Sequence, residues 1–257
     1  MTGPSGVPHI SRQEIACALR ACGLLEGDTV LVHSSLSSLG HVDGGADAVI
    51  DAILDTLGPE GTAAFPTLTG SAELSDENPP VFRPDVDACW TGAIPEAARK
   101  RPNALRSLGP THSVCAIGPS APWLTEGHEG CLTPCGAGSP YHKLWQAAGK
   151  VLFIGVDLSC NTLFHHVEEM AKAPYVCVER PVAAKVMLPT GESIDVPLRI
   201  HAYGPRRDYP KFEPELLQRG ILTVSTAGQA RLRLLRARPF CELMIPRVAA
   251  DPAILLA

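Results

Sequence analysis

The sequence predicts an α/β fold in which helices cover a central mixed sheet, giving an α/β/α layered arrangement. Apolar strand-like runs alternate with helical segments between residues 12 and 171, a pattern typical of layered α/β proteins. After residue 175, alternation typical of antiparallel strands dominates. A chain of 257 residues is long enough for one large domain. We therefore expect a single domain over residues 1–257, with a loose arm at 1–10 and a strand-rich part at about 175–257.

The elements of the first part are predicted from helix caps, apolar periodicity and turn residues. Ser11 and Glu14 have the capping-box spacing, so a helix is expected over 12–21, ending near Gly23. The other predicted elements are strand 28–33, helix 46–57, strand 61–66, loop 69–91, helix 94–101, strand 114–117, loop 130–140, helix 143–148, strand 150–156 and helix 161–171.

The part after Tyr175 is predicted to be mainly antiparallel. Strands are expected at 176–188, 193–200 and 230–238, and a helix at 212–219, ended by Gly220. These segments complete the predicted mixed sheet.

Composition excludes several classes of protein. With 22 basic and 27 acidic residues the net charge is −5, so we expect no nucleic-acid partner. No apolar run reaches membrane-spanning length and no signal peptide is recognisable, so we expect a cytoplasmic protein without membrane contact. The nine cysteines include no Cys-x-x-Cys pair, which favours reduced thiols and no metal site.

Several nucleotide-binding and catalytic motifs are absent. The sequence has no P-loop and no Gly-x-Ser-x-Gly elbow. The segment from Gly136 to Tyr141 lacks the third glycine of a dinucleotide fingerprint. The sequence as a whole also lacks the Arg/Gln-x-x-Gly-x-Gly/Ala turn with which GNAT acetyltransferases bind CoA pyrophosphate. An acetyltransferase with this sequence would therefore not have the GNAT fold.

The most informative segment follows the clearest predicted strand and carries Asn161, His165 and Glu168. On a helix, residues three and four apart share a face, so these three side chains are expected to lie together. A carboxylate beside an imidazole fixes its tautomer and raises its basicity, which suits a general base. A surface ion pair remains an alternative, as does a metal site that uses His165 with Glu169 four residues on.

The pattern Asn-Thr-x-x-His-x-x-Glu resembles the catalytic segment of the aminoglycoside 3-N-acetyltransferase family. Further segments resemble that family in the same order along the chain, from about Ser11 to Cys241. They are Val32–Gly40, Phe65–Thr67, Glu77–Pro80, Gly92–Glu96, Arg106–Ser113, Gly138–Pro140 with Lys143 and Leu144, and Arg207–Tyr209 with Glu213.

The resemblance implies an acetyl transfer from acetyl-CoA to a primary amine. His165 would be the catalytic base and Glu168 its orienting carboxylate. The acceptor would be the 3-amino group of an aminoglycoside antibiotic, with Asp76, Glu77 and Asn161 binding it, and no metal would be needed. The residues implied to bind the cosubstrate are Ser34, Ser35, Ser37, Thr111, His112, Ser113 and Gly138.

Four alternatives to this interpretation stay open. In the first alternative, the enzyme transfers the acyl group to a different amine that is not an aminoglycoside. A second is a cysteine-nucleophile acyltransferase or amidase using Cys160 or Cys135 with His165. The third is a non-catalytic protein that binds CoA or carbohydrate, and the fourth is a metal-dependent hydrolase sensitive to chelators. A homodimer is also left open.

Overall fold

A seven-stranded mixed sheet forms the centre of the protein in the computed structural model, which describes residues 9–257. The predicted loose arm at 1–10 lies almost wholly outside these residues. A three-stranded and a two-stranded sheet accompany the central one. The twelve strands are β1 (His9–Ile10), β2 (Thr29–Ser34), β3 (His41–Val42), β4 (Thr62–Pro66), β5 (Val81–Phe82), β6 (Leu105–Arg106), β7 (Val114–Ile117), β8 (Lys150–Ile154), β9 (Val182–Met187), β10 (Ser193–Leu198), β11 (Leu222–Ala227) and β12 (Ala230–Arg236).

Eight α-helices surround these sheets in the described part of the chain. They are α1 (Arg12–Cys22), α2 (Gly45–Leu57), α3 (Ala93–Ala98), α4 (Ala121–Thr125), α5 (Pro140–Gln146), α6 (Leu163–Met170), α7 (Glu213–Gln218) and α8 (Ala237–Ala250). Among these helices, none combines the length and the apolarity that crossing a bilayer requires.

The central sheet has the strand order β11-β12-β8-β2-β4-β7-β6. Strand β2 pairs in parallel with both β4 and β8, whereas β7 and β12 pair antiparallel with β4 and β8. The carboxyl ends of β8, β2 and β4 therefore meet at one edge of the sheet. In open α/β sheets such an edge is where ligands bind.

Successive side chains of the central strands pack into two separate hydrophobic cores, one on each face of the sheet. Leu31 points into a core shared with α5, α6 and α8, whereas Val30 and Val32 point into a core shared with α1 and α2. Burying both faces of the sheet confirms the α/β/α layering predicted from the sequence. The sheet β10-β9-β5 has its own smaller core.

The predicted capping box at the first helix is confirmed. Ser11 accepts the backbone N–H of Glu14, and the Glu14 carboxylate accepts the backbone N–H of Ser11. Gly23 ends the helix with φ of 102°, a left-handed conformation that glycine adopts without strain. These local interactions explain why this helix could be placed from sequence.

The C-terminal part departs most from the expected elements. Of the strand predicted over 176–188, the structure forms β9 at 182–187 and an isolated bridge between Cys177 and His201. Strand β11, which pairs with β12, was not predicted. The long helix α8 was also missed, because Pro246 lies inside it and proline normally interrupts a helix. Tertiary packing overrides that local preference, since Phe240, Met244 and Val248 are all fully buried.

Gly155, directly after β8, is a position where only glycine fits. Its φ is 66°, and a Cβ atom there would overlap with the side chain of Ser38. Gly155→Ala is therefore expected to destabilise the protein by about 2 to 4 kcal/mol, since overpacking adds to backbone strain. The matched control is Gly27→Ala, which has φ of 81° but no atom within 4 Å of the added Cβ. Chemical denaturation measures the free energy of unfolding of both variants. Equal losses of stability in the two variants would contradict a steric clash at Gly155.

Candidate active site

A large cavity opens at the edge where β8, β2 and β4 end. Its volume is about 730 Å³, which suits ligands of the size of a drug or the arm of a cofactor. Its walls come from the strand ends, from the start of α6, and from the segment between β10 and α7. The lining residues include Val32, His33, Ser34, Pro66, Leu68, Trp90, His112, Val156, Cys160, Asn161, Thr162, His165, His201, Tyr203, Arg206 and Arg207.

His165 stands on α6 with its imidazole in the cavity wall. Its Nδ1 lies 2.8 Å from Oε2 of Glu168, one helical turn later. The imidazole is 27% exposed, whereas the Glu168 side chain is fully buried. The spacing read from the sequence therefore places both groups as expected, with the imidazole accessible and the carboxylate behind it.

Glu168 is held by two further side chains that come from a distant part of the chain. Arg207 Nε donates to Glu168 Oε1 at 3.1 Å, and the Tyr209 hydroxyl donates to Oε2 at 3.1 Å. Burial alone would raise the pKa of Glu168, but the hydrogen bond from His165 and the Arg207 charge outweigh it and lower that pKa. Glu168 is therefore an ionised carboxylate.

An ionised Glu168 fixes the tautomer of His165. A carboxylate only accepts hydrogen bonds, so the proton between the two groups belongs to His165 Nδ1. In the neutral imidazole, Nε2 then carries the free lone pair. This nitrogen is the atom of His165 that can accept a proton.

Two more histidines flank His165 and stay neutral. The ring centroid of His201 lies 4.6 Å from that of His165, and the ring of His112 lies 4.4 Å from that of His201. Burial lowers the pKa of both His112 and His201 well below the ordinary value, and neighbouring histidines lower it further. Neither ring adds a positive charge beside the base.

Behind His201 lies a second buried carboxylate, Glu169. His201 Nε2 is 2.6 Å from Glu169 Oε1, and the backbone N–H of Cys135 donates to the same carboxylate. Burial raises the pKa of Glu169 to about 7, partly opposed by the hydrogen bonds it accepts. Glu169 therefore supports the position of His201 without itself lining the cavity.

Among residues 9–257, three groups of side chains have donor atoms close enough to be compared with a metal site. Within each group the ligand atoms lie within 4.8 Å of one another, a spacing that ligands at about 2.0 to 2.3 Å from one zinc ion can also have. The groups are His112, Cys135 and His201; Glu169, Cys177 and His201; and His9, His41 and Asp43. The expectation of a metal-free enzyme stays a prediction.

Two buried polar atoms beside the cavity have no hydrogen-bond partner among the described residues. They are Ser34 Oγ, at the end of β2, and Asn161 Nδ2. Asn161 is 1% exposed, and its Oδ1 accepts the backbone N–H of Leu163 at the start of α6, as a capping residue does. Buried polar groups are normally paired, so both atoms keep unused hydrogen-bonding capacity beside the cavity.

A second cavity of about 650 Å³ adjoins the first. Ser34 and Gly92 line both cavities, and Ser35, Ser37 and Gly45 line only the second. Gly45 is the first residue of α2, a helix of 13 residues that has no side-chain cap at its N-terminus. Free backbone N–H groups at a helix N-terminus favour anionic ligands.

The predicted site residues are thus only partly brought together. Ser34, His112, Asn161 and His165 line the first cavity, and Ser35 and Ser37 line the second. The others lie outside the lining residues: Thr111 and Ser113 are buried, and Asp76, Glu77 and Gly138 are exposed. Ser113 donates its hydroxyl to the Thr67 carbonyl, so its side chain supports the wall from behind.

The cysteine alternatives differ in position. Cys135 is fully buried, and burial raises its thiol pKa well above the ordinary value. Cys160 lines the cavity, and its thiol pKa is also raised, with burial the largest cause. A raised pKa lowers the fraction of nucleophilic thiolate, which disfavours both thiols as nucleophiles.

Arg207, Tyr209 and His201 are the important site residues that reasoning from the sequence did not assign. Arg207 and Tyr209 lie about forty positions from Glu168, so helical spacing gives no sign of the contact. The only available signal was their place in the C-terminal segment that resembles the family.

The sequence matches one known protein family over most of its length. Residues 31–248 match the family model described as aminoglycoside 3-N-acetyltransferase. Aminoglycoside N(3)-acetyltransferase VIII of Streptomyces fradiae is 37% identical over 191 residues, which cover 67% of this chain and 66% of that relative. The aligned segment therefore spans just under two thirds of the relative's length.

Solved structures share the fold. The crystal structure of aminoglycoside acetyltransferase AAC(3)-Xa superposes with a TM-score of 0.82 at 32% identity, covering 94% of this chain and 93% of that one. AAC-IIIb in a binary structure with CoASH gives a TM-score of 0.77 at 28% identity, covering 94% and 97%. The match of the family model over most of the chain, together with this agreement in fold, shows that the protein belongs to the aminoglycoside 3-N-acetyltransferase family, a family of acyltransferases.

Proposed function

We propose that this protein transfers an acetyl group from acetyl-CoA to a primary amine, with His165 as general base and Glu168 as the carboxylate that positions it. The observation that carries the proposal is the His165 imidazole in the wall of a large cavity, with Nδ1 bound to a buried, ionised Glu168. This arrangement leaves Nε2 as the proton acceptor of an imidazole that lines a substrate-sized cavity.

The chemistry needs such a base because an ammonium group is not a nucleophile. His165 Nε2 takes a proton from the substrate ammonium, and the nitrogen lone pair attacks the thioester carbonyl carbon. The N–C bond forms, the C–S bond breaks, and the amide and the CoA thiol leave. Of the two protons that the nitrogen loses, one ends on the CoA sulfur and the other passes through His165 to solvent. Glu168 stabilises the imidazolium that forms in between.

Both cavities take part in the proposed binding of the cosubstrate. The second cavity, with the hydroxyls of Ser35 and Ser37 and the N-terminus of α2, suits the phosphate groups of acetyl-CoA. The first cavity then receives the thioester end. Ser34 Oγ and Asn161 Nδ2, the two unpaired polar atoms, are the donors proposed for the substrate oxygens there.

The first proposal for the acceptor comes from the names of the related proteins. Their names make the 3-amino group of an aminoglycoside the first acceptor to test for this chain. Another primary amine is the alternative, and the charges on the cavity wall bear on that choice.

The proposal is tested by measuring free thiol released from acetyl-CoA in the presence of a panel of aminoglycosides and simple amines. We expect release that depends on both the amine and the enzyme. Thiol release at the same rate without any amine would indicate a thioesterase, and binding of CoA with no release would indicate a non-catalytic binding protein.

Cys160→Ala is expected to retain full activity. Cys160 lines the cavity, but its raised thiol pKa disfavours the thiolate, and the proposed reaction needs no covalent intermediate. The steady-state rate of thiol release measures the variant against the wild type. A loss of about a hundredfold or more would instead support a cysteine nucleophile.

A further inference from the structure

The wall of the large cavity carries an unexpected charge pattern. Among residues 9–257, no aspartate or glutamate lines this cavity, whereas Arg206 and Arg207 both do. Apolar and aromatic side chains make up much of the remaining surface, including Leu68, Trp90 and Tyr203. A site for a ligand with several ammonium groups needs the opposite pattern, because desolvated cations require carboxylate partners.

The two carboxylates of α6 that lie beside the base are already bonded to other side chains. Glu168 is fully buried and bonded to His165, Arg207 and Tyr209. Glu169 is buried behind His201, to which it is bonded. Neither carboxylate faces the cavity, so neither can pair with a further ammonium group of an acceptor.

Arg206 is the free charge at this wall. Its side chain is exposed, and its guanidinium makes no hydrogen bond or ion pair with any residue in the described part of the chain. Its neighbour Arg207 is instead bound to Glu168 and to the Pro205 carbonyl. Arg206 would repel a second ammonium group of a bound acceptor and attract an anionic group.

We infer that the acceptor is a primary amine with an apolar body and a carboxylate that pairs with Arg206, rather than a polycationic aminoglycoside. The inference rests on the proposed acetyl transfer and names the substrate class of the same site. The apolar wall at Leu68, Trp90 and Tyr203 takes the body of the acceptor, and the amine faces His165.

Three acceptors that differ only in one distal group test this inference. They are 4-(2-aminoethyl)benzoate, 2-(4-methylphenyl)ethylamine and 4-(2-aminoethyl)benzylamine, which carry a carboxylate, a methyl group and a second ammonium group. We expect kcat/KM for the carboxylate to exceed that for the methyl compound by about three- to fivefold, the size of one partly exposed ion pair. The kcat/KM values for the diamine and for gentamicin are expected to be at least about tenfold lower than that for the carboxylate.

Variants of Arg206 identify the source of the preference. Arg206→Gln is expected to remove the difference between the carboxylate and the methyl compound, and Arg206→Glu to place the diamine above the carboxylate. The control is Arg180→Glu, an exposed arginine outside both cavities, which is expected to keep the wild-type order.

The outcomes separate this inference from the proposed function. Gentamicin or the diamine as the best wild-type acceptor would overturn the inference and leave acetyl transfer intact. If Arg206→Glu left the ranking of the acceptors by kcat/KM unchanged, the inference would also be overturned. If no amine at all increased thiol release, the proposed acetyl transfer itself would fail.

Discussion

His165→Ala is expected to lower kcat by at least about a hundredfold while CoA still binds. The imidazole is the group in the cavity wall whose Nε2 can accept the amine proton, and general-base catalysis contributes about 10² to 10⁴. The cosubstrate contacts proposed for Ser35 and Ser37 lie in the adjoining cavity, so they are not removed with the imidazole. Steady-state thiol release gives kcat, and calorimetry with CoA gives the binding constant.

Two further variants are compared with His165→Ala by their kcat values. His142→Ala removes a partly exposed histidine on α5 that lines neither cavity, so its kcat is expected to stay close to the wild-type value. Glu168→Gln keeps the shape of the side chain but removes the charge that positions His165, so an intermediate loss in kcat is expected. An unchanged kcat in His165→Ala would remove this residue from the mechanism.

Acidification from pH 7.5 to 5.5 is expected to destabilise the fold by on the order of 5 kcal/mol. Five histidines inside the protein stay neutral because burial lowers their pKa. The pKa falls to about 3 for His33, to about 4 for His128 and His166, and well below the ordinary value for His112 and His201.

The sign follows from proton binding in the two states. In the unfolded chain each of these histidines binds a proton below about pH 6.5, whereas in the folded protein it does not. Their contribution to stability is therefore complete above pH 6.5 and falls as the pH decreases toward the folded pKa values. Glu169 acts in the opposite direction, because its folded pKa of about 7 lets the folded state bind one proton first.

Denaturant unfolding at several pH values measures this loss. His166→Gln removes one buried imidazole, so we expect the pH dependence of the free energy of unfolding to decrease by about one proton. His41→Gln, at an exposed position, is the matched control and is expected to leave the slope unchanged. A free energy of unfolding that stays constant between pH 7.5 and 5.5 would contradict the buried neutral state of these rings.

Local features of the fold and site were accessible from the sequence. Ser11 and Glu14 act within one turn, and His165 and Glu168 lie on one helix, so short-range geometry was enough to relate each pair. The alternation of helices and apolar strands gave the layered α/β class. These features depend on side chains that are close in the chain.

The rest of the site depends on contacts that the sequence does not encode locally. Arg207 and Tyr209 reach Glu168 because the segment after β10 folds back over α6. Asp76 and Glu77 were nominated for their charge, but the loop that carries them lies outside the cavity lining. The charge pattern of the wall, with Arg206 and no carboxylate from residues 9–257, became visible only once the distant segments were assembled.

The fate of a labelled acetyl group tests the central claim most directly. The enzyme is mixed with acetyl-CoA labelled in the acetyl group and with an accepted amine, and the label is followed by mass spectrometry through a single turnover. Acetyl transfer by direct attack predicts that the label appears only in the amide of the acceptor, in step with release of the CoA thiol. Label recovered as free acetate, or bound to the protein at Cys160, would contradict it.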